Sequence, residues 1–426
     1  MIRYFKDILS GNIRAFLANL SYSFIGFAIA SLISISTYVI SGRVLGPKEF
    51  ASYGLVLALV QIFSFPVQGM DVAIIRSIVL AKKTYNVGEA ALSGFLFLFG
   101  IIVASSGILY AVSSYASSFF QIPVFLFDIS IGFMALLAVR VGLDSVIRAT
   151  GGFRFQSLIK VGDAAISLGA FYILYELFNK HGYGNLIFSL SCGALFSIAS
   201  YLIAILRTVP HLKINTAQGI QSWAYGKFGV LSAVGTILFL SIDKIVVEHR
   251  LGHVQLGIYS AYAVVSVSIA MQLSNIIMNV LFPEVAHRSD GRALMKQLSR
   301  IVIISIVPLF LFFTLVCIVL FSLFGKQYPL SIPLGMAMGM YATLTFLYTV
   351  YVNVFLSFGP KYFFFIAAQS VIGGSIFIGL LWYFLPSIGL FAAPFSFGIV
   401  FLYFAFLYFF WHKGYIGKHS SDILHS

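Results

Sequence analysis

Long apolar stretches alternate with short polar loops along most of the chain. A helix that crosses the hydrocarbon core of a bilayer needs about 20 mostly apolar residues. Lipid requires each backbone polar group to be satisfied within its own segment, which favours helices. The pattern therefore predicts an all-α polytopic membrane protein with about twelve transmembrane helices, at residues 17–41, 50–72, 88–113, 122–147, 155–177, 184–206, 226–247, 256–283, 300–324, 333–357, 361–384 and 388–411.

Composition excludes a soluble protein. Hydrophobic residues make up 60% of the 426 residues, charged residues make up 9%, and mean hydropathy is +1.00. Residues 1–16 mix apolar and charged side chains, which predicts an amphipathic segment lying at the membrane interface. The apolar stretch that follows is too long for the apolar region of a cleaved signal peptide. The chain is therefore expected to keep its N-terminal segment.

Lysine and arginine set the orientation in the membrane. With the N-terminus in the cytoplasm, 20 of these residues fall on the cytoplasmic side and 6 on the outer side. An even number of spans then places both termini in the cytoplasm. The net charge of +13 is the signature of cytoplasmic loops facing anionic lipid, and it predicts no nucleic-acid partner.

The two halves of the chain share landmarks. Gly46 and Tyr53, around the start of the second predicted span, recur as Gly252 and Tyr259 at the eighth, a shift of 206 residues. A second similarity between the halves, at a shift of 208 residues, lies directly after the fourth and tenth predicted spans. Six spans separate the copies, so both enter the membrane in the same direction. This pattern predicts a parallel repeat related by an axis along the membrane normal.

The repeat divides the chain into two lobes of six spans each. The N-lobe covers residues 17–206 and the C-lobe covers residues 226–411. A polar linker at 207–225 and a tail at 412–426 are predicted to be cytoplasmic. Two such lobes leave a central cleft, which is the architecture that alternating access requires.

Polar side chains recur at helical spacing along several spans. In lipid such residues face protein or a water-filled cavity, and they also join helices by hydrogen bonds. The stripes on the second and eighth spans nearly coincide under the 206-residue shift. We expect the cleft to be lined by Gln61, Ser64, Gln68, Asp71, Ser268, Gln272, Asn275, Asn279, Tyr341 and Tyr348.

Charged residues are concentrated inside the N-lobe. Arg140, Asp144 and Arg148 are one turn apart in the fourth span, and Lys160 and Asp163 share a face of the fifth. An ionised group near the bilayer centre is costly unless it is paired or hydrated. Two interpretations remain open: pairs between Arg140 and Asp144 and between Lys160 and Asp163 that hold the bundle together, or a cationic site that binds an anion.

Several kinds of chemistry are absent from the sequence. It contains neither GxxxxGK[ST] nor HExxH, and His249 and His253 have no further ligand spacing around them. Cys192 and Cys317 lie within predicted spans without metal or disulfide spacing. No metal, no cofactor and no enzymatic activity are expected. The predicted outer loops are short, which argues against a membrane glycan polymerase or ligase.

Two stretches resemble polysaccharide flippases. Residues 43–76 open with RVLGP and end with AIIR, and residues 242–283 contain IDK and LGIY and end with LFP. The length and helix count also fit. The chain is similar to the Wzx-type O-antigen flippases of the multidrug/oligosaccharidyl-lipid/polysaccharide exporter superfamily.

The resemblance implies a MATE-like fold in the bacterial cytoplasmic membrane. It also implies translocation of an undecaprenyl-pyrophosphate-linked oligosaccharide from the cytoplasmic to the outer leaflet, with membrane lipid, a glycan polymerase and a chain-length regulator as partners. Relatives tend to use cations that face the lumen. Carried over to this sequence, the head-group residues are Arg140, Arg76, Lys160 and Arg148.

The alternative interpretation is a MATE-type cation-coupled drug efflux antiporter. That chemistry needs a carboxylate in the membrane that exchanges a cation for the substrate. Asp163 and Asp243 are the candidate ion-coupling residues. An excess of cations facing the lumen argues against cationic drugs. The glycan that is carried and the coupling ion remain open at this stage.

Overall fold

The computed structural model describes residues 13–81, 86–176, 182–209, 211–286, 291–357 and 360–407. Side chains are described, with short interruptions, between residues 24 and 277, 304 and 354, and 365 and 407. Most of the predicted interfacial segment and the whole of the predicted tail lie outside these ranges.

The described residues form a nearly all-helical structure. The α-helices in chain order are α1 (Ile13–Phe63), α2 (Met70–Ala81), α3 (Val87–Ala111), α4 (Ser113–Phe120), α5 (Val124–Thr150), α6 (Phe153–Glu176), α7 (Tyr183–Thr208), α8 (Thr216–Leu240), α9 (Ile242–Leu251), α10 (His253–Val265), α11 (Val267–Ala286), α12 (Gly291–Ser322), α13 (Ile332–Ser357), α14 (Pro360–Ile388) and α15 (Ala392–Leu407). A 3-10 helix, Gly389–Phe391, joins the last two.

These helices confirm a multi-pass membrane protein. Eight stretches of the described chain are long and apolar enough to span a bilayer. Two of them, of 40 and 43 residues, each have room for two crossings, with a backbone break at Gly46 and at Gly389–Phe391. Helix α8, continued by α9, adds one crossing and the 26-residue α13 adds another, so the described helices supply the twelve that were predicted.

The backbone at two glycines confirms the internal repeat. Gly46 has φ 74° and ψ 171°, and Gly252 has φ 85° and ψ 172°. This conformation is essentially restricted to glycine. The same rare geometry therefore recurs 206 residues apart, at the break that separates the first crossing from the second in each lobe.

The axis that relates the lobes passes beside Gly54 and Ser260. These two residues are equivalent under the 206-residue shift, and a Cβ atom added at Gly54 would lie 2.3 Å from Oγ of Ser260. Equivalent residues of two related units can touch each other only next to the axis. The lobes are therefore in close contact at this depth, in the half of the protein that the distribution of lysine and arginine predicts to face outward.

The end of the cleft in this half, called the outer end after that prediction, is closed. The hydroxyl of Tyr328 donates a hydrogen bond to the carbonyl of Gly42 in the other lobe, at 3.0 Å. Gly257 packs against the backbone of Pro47, where an added Cβ atom would lie 1.8 Å from the carbonyl oxygen. These contacts close the cleft between the lobes at the end that is predicted to face outward.

At the opposite end of the cleft, called the inner end, equivalent residues of the two lobes differ in their surroundings. Gly69, before α2, meets the backbone of Gly229 on α8, where an added Cβ atom would lie 2.3 Å from a backbone carbon. The residue equivalent to Gly69 in the C-lobe is Asn275, which is exposed. The side chain of Asn275 is therefore accessible, whereas Gly69 is covered by α8.

The linker between the lobes is shorter than predicted. Helix α8 begins at Thr216, so much of the predicted segment 207–225 is helical. Asn215 caps this helix by accepting a hydrogen bond from the backbone N–H of Ala217 at 3.2 Å. Its side-chain amide donates to Glu89 on α3 at 3.0 Å, which fixes the start of α8 against the N-lobe.

Candidate substrate-binding cavity

A cavity of about 550 Å³ lies between the lobes in the inner half of the cleft. The N-lobe supplies its charged side chains and the C-lobe supplies three neutral amides. The polar residues that line it are Ser31, Ser34, Tyr38, Asp71, Arg140, Asp144, Arg148, Lys160, Asp163, Ser167, Tyr201, Gln272, Asn275 and Asn353.

Close helix packing turns the charged face of α6 toward this cavity. On one side Gly26 of α1 lies against Ser157, where an added Cβ atom would be 2.4 Å from that of the serine. On the other side Gly193 of α7 lies against Asp163, where an added Cβ atom would be 2.6 Å from the backbone oxygen. Small residues at both contacts let the backbones approach.

Arg140 is paired with Asp163. Their Nη1 and Oδ2 atoms are 2.6 Å apart, and the same carboxylate oxygen accepts a hydrogen bond from Ser197 at 3.0 Å. The side chains of Arg140 and Asp163 are 33% and 14% exposed, so the pair is open to the cavity through the arginine.

Asp144 is the most heavily bonded carboxylate of the cavity. Its Oδ1 accepts hydrogen bonds from Gln156 at 2.8 Å and from Tyr201 at 2.7 Å. Its Oδ2 lies 3.3 Å from Nε of Arg148 and 3.8 Å from Nζ of Lys160. Such a buried carboxylate is tolerable because two cations and two neutral donors surround it.

The predicted pairs of Arg140 with Asp144 and of Lys160 with Asp163 are wrong. Helices α5 and α6 form an antiparallel hairpin whose turn begins at Gly151, with φ 91°. Residues at equal distances from that turn face each other. Arg140 therefore meets Asp163, and Asp144 meets Lys160, so that the ion pairs join the two helices.

Among the described residues that line the cavity, three cations and three carboxylates are matched in number. Arg148 reaches both Asp144 and Asp71, the latter at 3.7 Å. The ammonium of Lys160 also lies 4.3 Å from the ring centroid of Phe27. The wall therefore carries no excess of positive charge while its ion pairs are intact.

A second, smaller cavity lies deeper in the cleft. It has a volume of about 50 Å³ and touches Gln61, Asp243, Lys244, Ser268 and Tyr341. Gln61 also joins the lobes, since its Oε1 accepts a hydrogen bond from Ser241 at 2.6 Å. Six of the ten predicted lining residues are thus divided between two cavities.

A family model described as polysaccharide biosynthesis protein matches residues 40–333. The chain belongs to this family. No curated protein sequence matches it.

Solved structures with the same fold are MATE transporters and a relative. An inward-facing multidrug resistance MATE family transporter of the MOP superfamily has a TM-score of 0.68 and 11% identity, with 94% of this chain and 98% of that chain covered. An outward-facing one has a TM-score of 0.67 and 11% identity, with 98% of both chains covered. A MOP superfamily transporter from Pyrococcus furiosus, described as having a binding pocket of reverse polarity, has a TM-score of 0.64 and 15% identity, again with 98% of both chains covered. At these identities the similarity shows the fold, which is that of the MATE transporters, as predicted.

Some predicted site residues of this family member lie away from the cavities. Arg76 is exposed on α2, five residues after Asp71, which rotates it by about 140° from the cavity face. Ser64 and Gln68 line neither cavity, because they stabilise the break before α2. Ser64 donates to the carbonyl of Gln61 at 2.8 Å, and Gln68 donates to the Ser64 hydroxyl at 2.7 Å.

Tyr348 is also misplaced by the sequence pattern. It is buried in the C-lobe, where its ring stacks on Phe404 and meets the edge of Phe239. Its hydroxyl shares a hydrogen bond of 2.7 Å with Ser370. Stacking on sugars is therefore not available to Tyr348. The side chain of Asn279 lies outside the described residues.

Sequence reasoning missed several lining residues. Tyr201 donates a hydrogen bond to Asp144, and Asn353 on α13 supplies one of the three amides that face the charged wall. Gln156 also donates to Asp144, but from a buried position behind the wall. Asn353 could have been identified from the sequence, since it lies two turns beyond Thr345 on a span where amides are otherwise absent. Tyr201 could not, because an isolated tyrosine in an apolar span is usually a packing residue.

Proposed function

We propose that the protein is a flippase that carries an undecaprenyl-pyrophosphate-linked oligosaccharide, the repeat unit of O-antigen or a similar surface polysaccharide, across the bacterial cytoplasmic membrane. Transport runs from the cytoplasmic to the outer leaflet by alternating access between the two lobes. The observation that carries the proposal is the cavity itself, which has Arg140, Arg148 and Lys160 on one wall and neutral amides on the other.

The charged wall suits the pyrophosphate of such a substrate. Guanidinium groups bind phosphate oxygens with two parallel hydrogen bonds. Arg140 is held by one carboxylate and is a third exposed, so a phosphate can replace Asp163 as its partner. The incoming anion would then take the place of the carboxylates as the partner of these cations.

The amide wall suits the sugars. Gln272, Asn275 and Asn353 can each donate and accept hydrogen bonds without adding charge. Sugar hydroxyls have the same dual capacity. A neutral wall of this kind accepts different glycans, which fits a protein that must bind many hydroxyl groups rather than one fixed pattern.

The open side of the cleft suits the lipid tail. Asn275 on α11 is exposed and lines the cavity together with Phe27 on α1, so we infer a gap toward the bilayer between these two helices. A long apolar tail can remain in the bilayer through this gap while the head group enters the cavity. Rocking of the lobes about the axis near Gly54 and Ser260 would then close the inner side and open the outer side.

A MATE-type drug antiporter is the second candidate. The shared fold and a cavity carboxylate, Asp163, favour it. Against it, Asp144 and Asp163, the carboxylates that would take up a cation, are already paired with Arg140, Arg148 and Lys160. We therefore place lipid-linked oligosaccharide first, with a glycan polymerase and a chain-length regulator as proposed partners.

Complementation tests the proposal. A bacterial strain that lacks its O-antigen flippase and makes the cognate glycan would express wild type, Arg140→Ala, Arg140→Lys or Arg76→Ala. Arg76 is the matched control, because it is an exposed arginine of the same lobe that faces away from the cavity. Membrane abundance is measured for each variant, and surface glycan is the readout.

We expect wild type and Arg76→Ala to restore surface glycan, Arg140→Ala to lose it and Arg140→Lys to restore part of it. Failure of wild type together with reduced accumulation of a cationic dye would favour the drug antiporter. Full activity of Arg140→Ala would remove Arg140 from the capture site.

A further inference from the structure

The helix that leads out of the linker is broken inside the membrane. Helix α8 ends at Leu240, Ser241 has φ −133° and ψ −45°, and α9 begins at Ile242. The last carbonyls of a helix lack partners within it and form the negative end of its dipole. In transporters, a carbonyl end of this kind at a broken helix coordinates small cations.

At this break a lysine side chain occupies the place of a cation. Nζ of Lys244 donates to the carbonyl of Leu240 at 2.8 Å and lies 3.4 Å from Oδ1 of Asp243. The other carboxylate oxygen accepts a hydrogen bond from Tyr259 at 2.5 Å. The side chains of Lys244 and Asp243 are 14% and 3% exposed, so both charges are buried.

The charge balance of the site fits a monovalent ion. Asp243 is its one carboxylate, and the other oxygen atoms belong to uncharged carbonyl and hydroxyl groups. Divalent calcium and magnesium are usually held by more carboxylates or by phosphates. The neighbouring cavity of about 50 Å³ can hold water, since one water needs about 10–15 Å³.

We propose that the break between α8 and α9 is a binding site for a monovalent cation, and that the ammonium of Lys244 fills it as a tethered ion. Lys244→Met keeps an unbranched side chain but removes the charge, which leaves Asp243 and the Leu240 carbonyl to a free ion such as sodium. The inference is independent of the substrate carried in the larger cavity.

The site also touches both lobes. The hydroxyl of Ser241, at the break, donates to Oε1 of Gln61 in the N-lobe at 2.6 Å, and the small cavity is lined from both sides. The tethered ion therefore stabilises the bent backbone that makes this contact. In the variant, the same contact becomes dependent on a dissolved cation.

Thermal unfolding of the purified full-length protein tests the proposal. Wild type, Lys244→Met and Lys244→Met/Asp243→Asn are compared in sodium chloride and in choline chloride of equal ionic strength. We expect a saturable rise of the unfolding midpoint with sodium for Lys244→Met, and no such rise for wild type or for the double variant, which lacks the carboxylate.

Each other result overturns the proposal. If the unfolding midpoint of Lys244→Met is the same in sodium chloride and in choline chloride, removal of the lysine charge has not created a site for a free ion. A saturable sodium response of wild type that Asp243→Asn abolishes means that the ion binds beside Lys244 and not in its place. If Lys244→Met folds in neither salt, Lys244→Ala is purified with and without methylammonium; failure of methylammonium to restore it also overturns the proposal.

Discussion

The backbone of Gly257 touches the carbonyl of Pro47 across the boundary between the lobes, so that an added Cβ atom would lie 1.8 Å from its oxygen. A second link lies close by, where Oγ of Ser52 is 3.1 Å from Nε2 of His253. His253 is in turn held by Glu248, at 2.8 Å from Nδ1. The outer closure of the cleft thus depends on a backbone contact that only glycine permits.

Gly257→Ala should therefore shift the protein toward an outward-open state. The added methyl group cannot be accommodated without moving Pro47, because a backbone oxygen cannot rotate away. The measurement is labelling of Ser52→Cys from outside by a membrane-impermeant thiol reagent, with Cys192 and Cys317 replaced by serine. We expect faster labelling when Gly257→Ala is present.

Gly132→Ala is the control for this experiment, because an added Cβ atom there meets no atom within 4 Å. It should leave the labelling rate of Ser52→Cys unchanged. Equal rates in the Gly257→Ala and Gly132→Ala proteins would show that the Gly257 contact does not set the closure.

Exchange of charges tests the pair between Arg140 and Asp163. Arg140→Asp alone places two carboxylates together and should lower the unfolding midpoint of the purified protein. Adding Asp163→Arg restores a pair of opposite charges at the position where the wild-type atoms are 2.6 Å apart. We expect the double variant to regain most of the stability but not flipping activity, since the cation has moved to α6.

The contrary result for this pair would be additive destabilisation of the two single variants. Neighbouring charges that interact show a non-additive term in a double-mutant cycle. Additivity would mean that the two side chains do not stabilise the protein through each other.

Loss of the carboxylate at Asp144 should be more costly than loss of one of its neutral donors. Asp144→Asn leaves Arg148 and Lys160 facing an uncharged group, and breaking a buried ion pair costs about 3–5 kcal/mol. Tyr201→Phe removes one hydrogen bond to a charged acceptor, which costs about 1.5–3 kcal/mol. Unfolding midpoints of both variants, measured in one detergent, give the order; the reverse order would contradict this assignment.

The two repeat glycines give a test of backbone strain. Alanine at Gly252 meets no atom within 4 Å, so its cost is the conformational strain of about 1–3 kcal/mol. Alanine at Gly46 has the same strain and also lies 2.5 Å from Oε1 of Gln327. We expect both substitutions to lower the unfolding midpoint, and Gly46→Ala to lower it more. If the Gln327 side chain rotates away, the two decreases should be equal.

The crossings and the repeat could be predicted because they depend on properties that lie along the chain. Runs of apolar residues set the crossings, and glycines at a fixed offset, Gly46 and Gly252, mark the same backbone break. The sequence also identified Arg140 and Asp163 as buried charges. It could not pair them, since the partner of each is fixed by the hairpin of α5 and α6 and not by spacing within one helix.

The side of a helix to which a side chain points was the second feature that the sequence could not predict. Tyr341 and Tyr348 share a helical face by spacing, yet one lines the small cavity and the other is packed within the C-lobe. Arg76 follows Asp71 closely in the sequence but points to the opposite side of α2. Which face meets water is decided by the neighbouring helices, and those become known only when the lobes are assembled.

The matched charges of the large cavity have a consequence for the membrane potential. With Asp71, Asp144 and Asp163 opposite Arg140, Arg148 and Lys160, the described side chains of the empty wall sum to no net charge, and under the proposed mechanism they would change sides as a neutral group. Moving one elementary charge across the membrane is worth about 2.3 kcal/mol for each 100 mV. The return of the empty protein should therefore be independent of voltage. An anionic head group that travels outward should be favoured by the negative interior, so the electrical gradient would act on the loaded step alone.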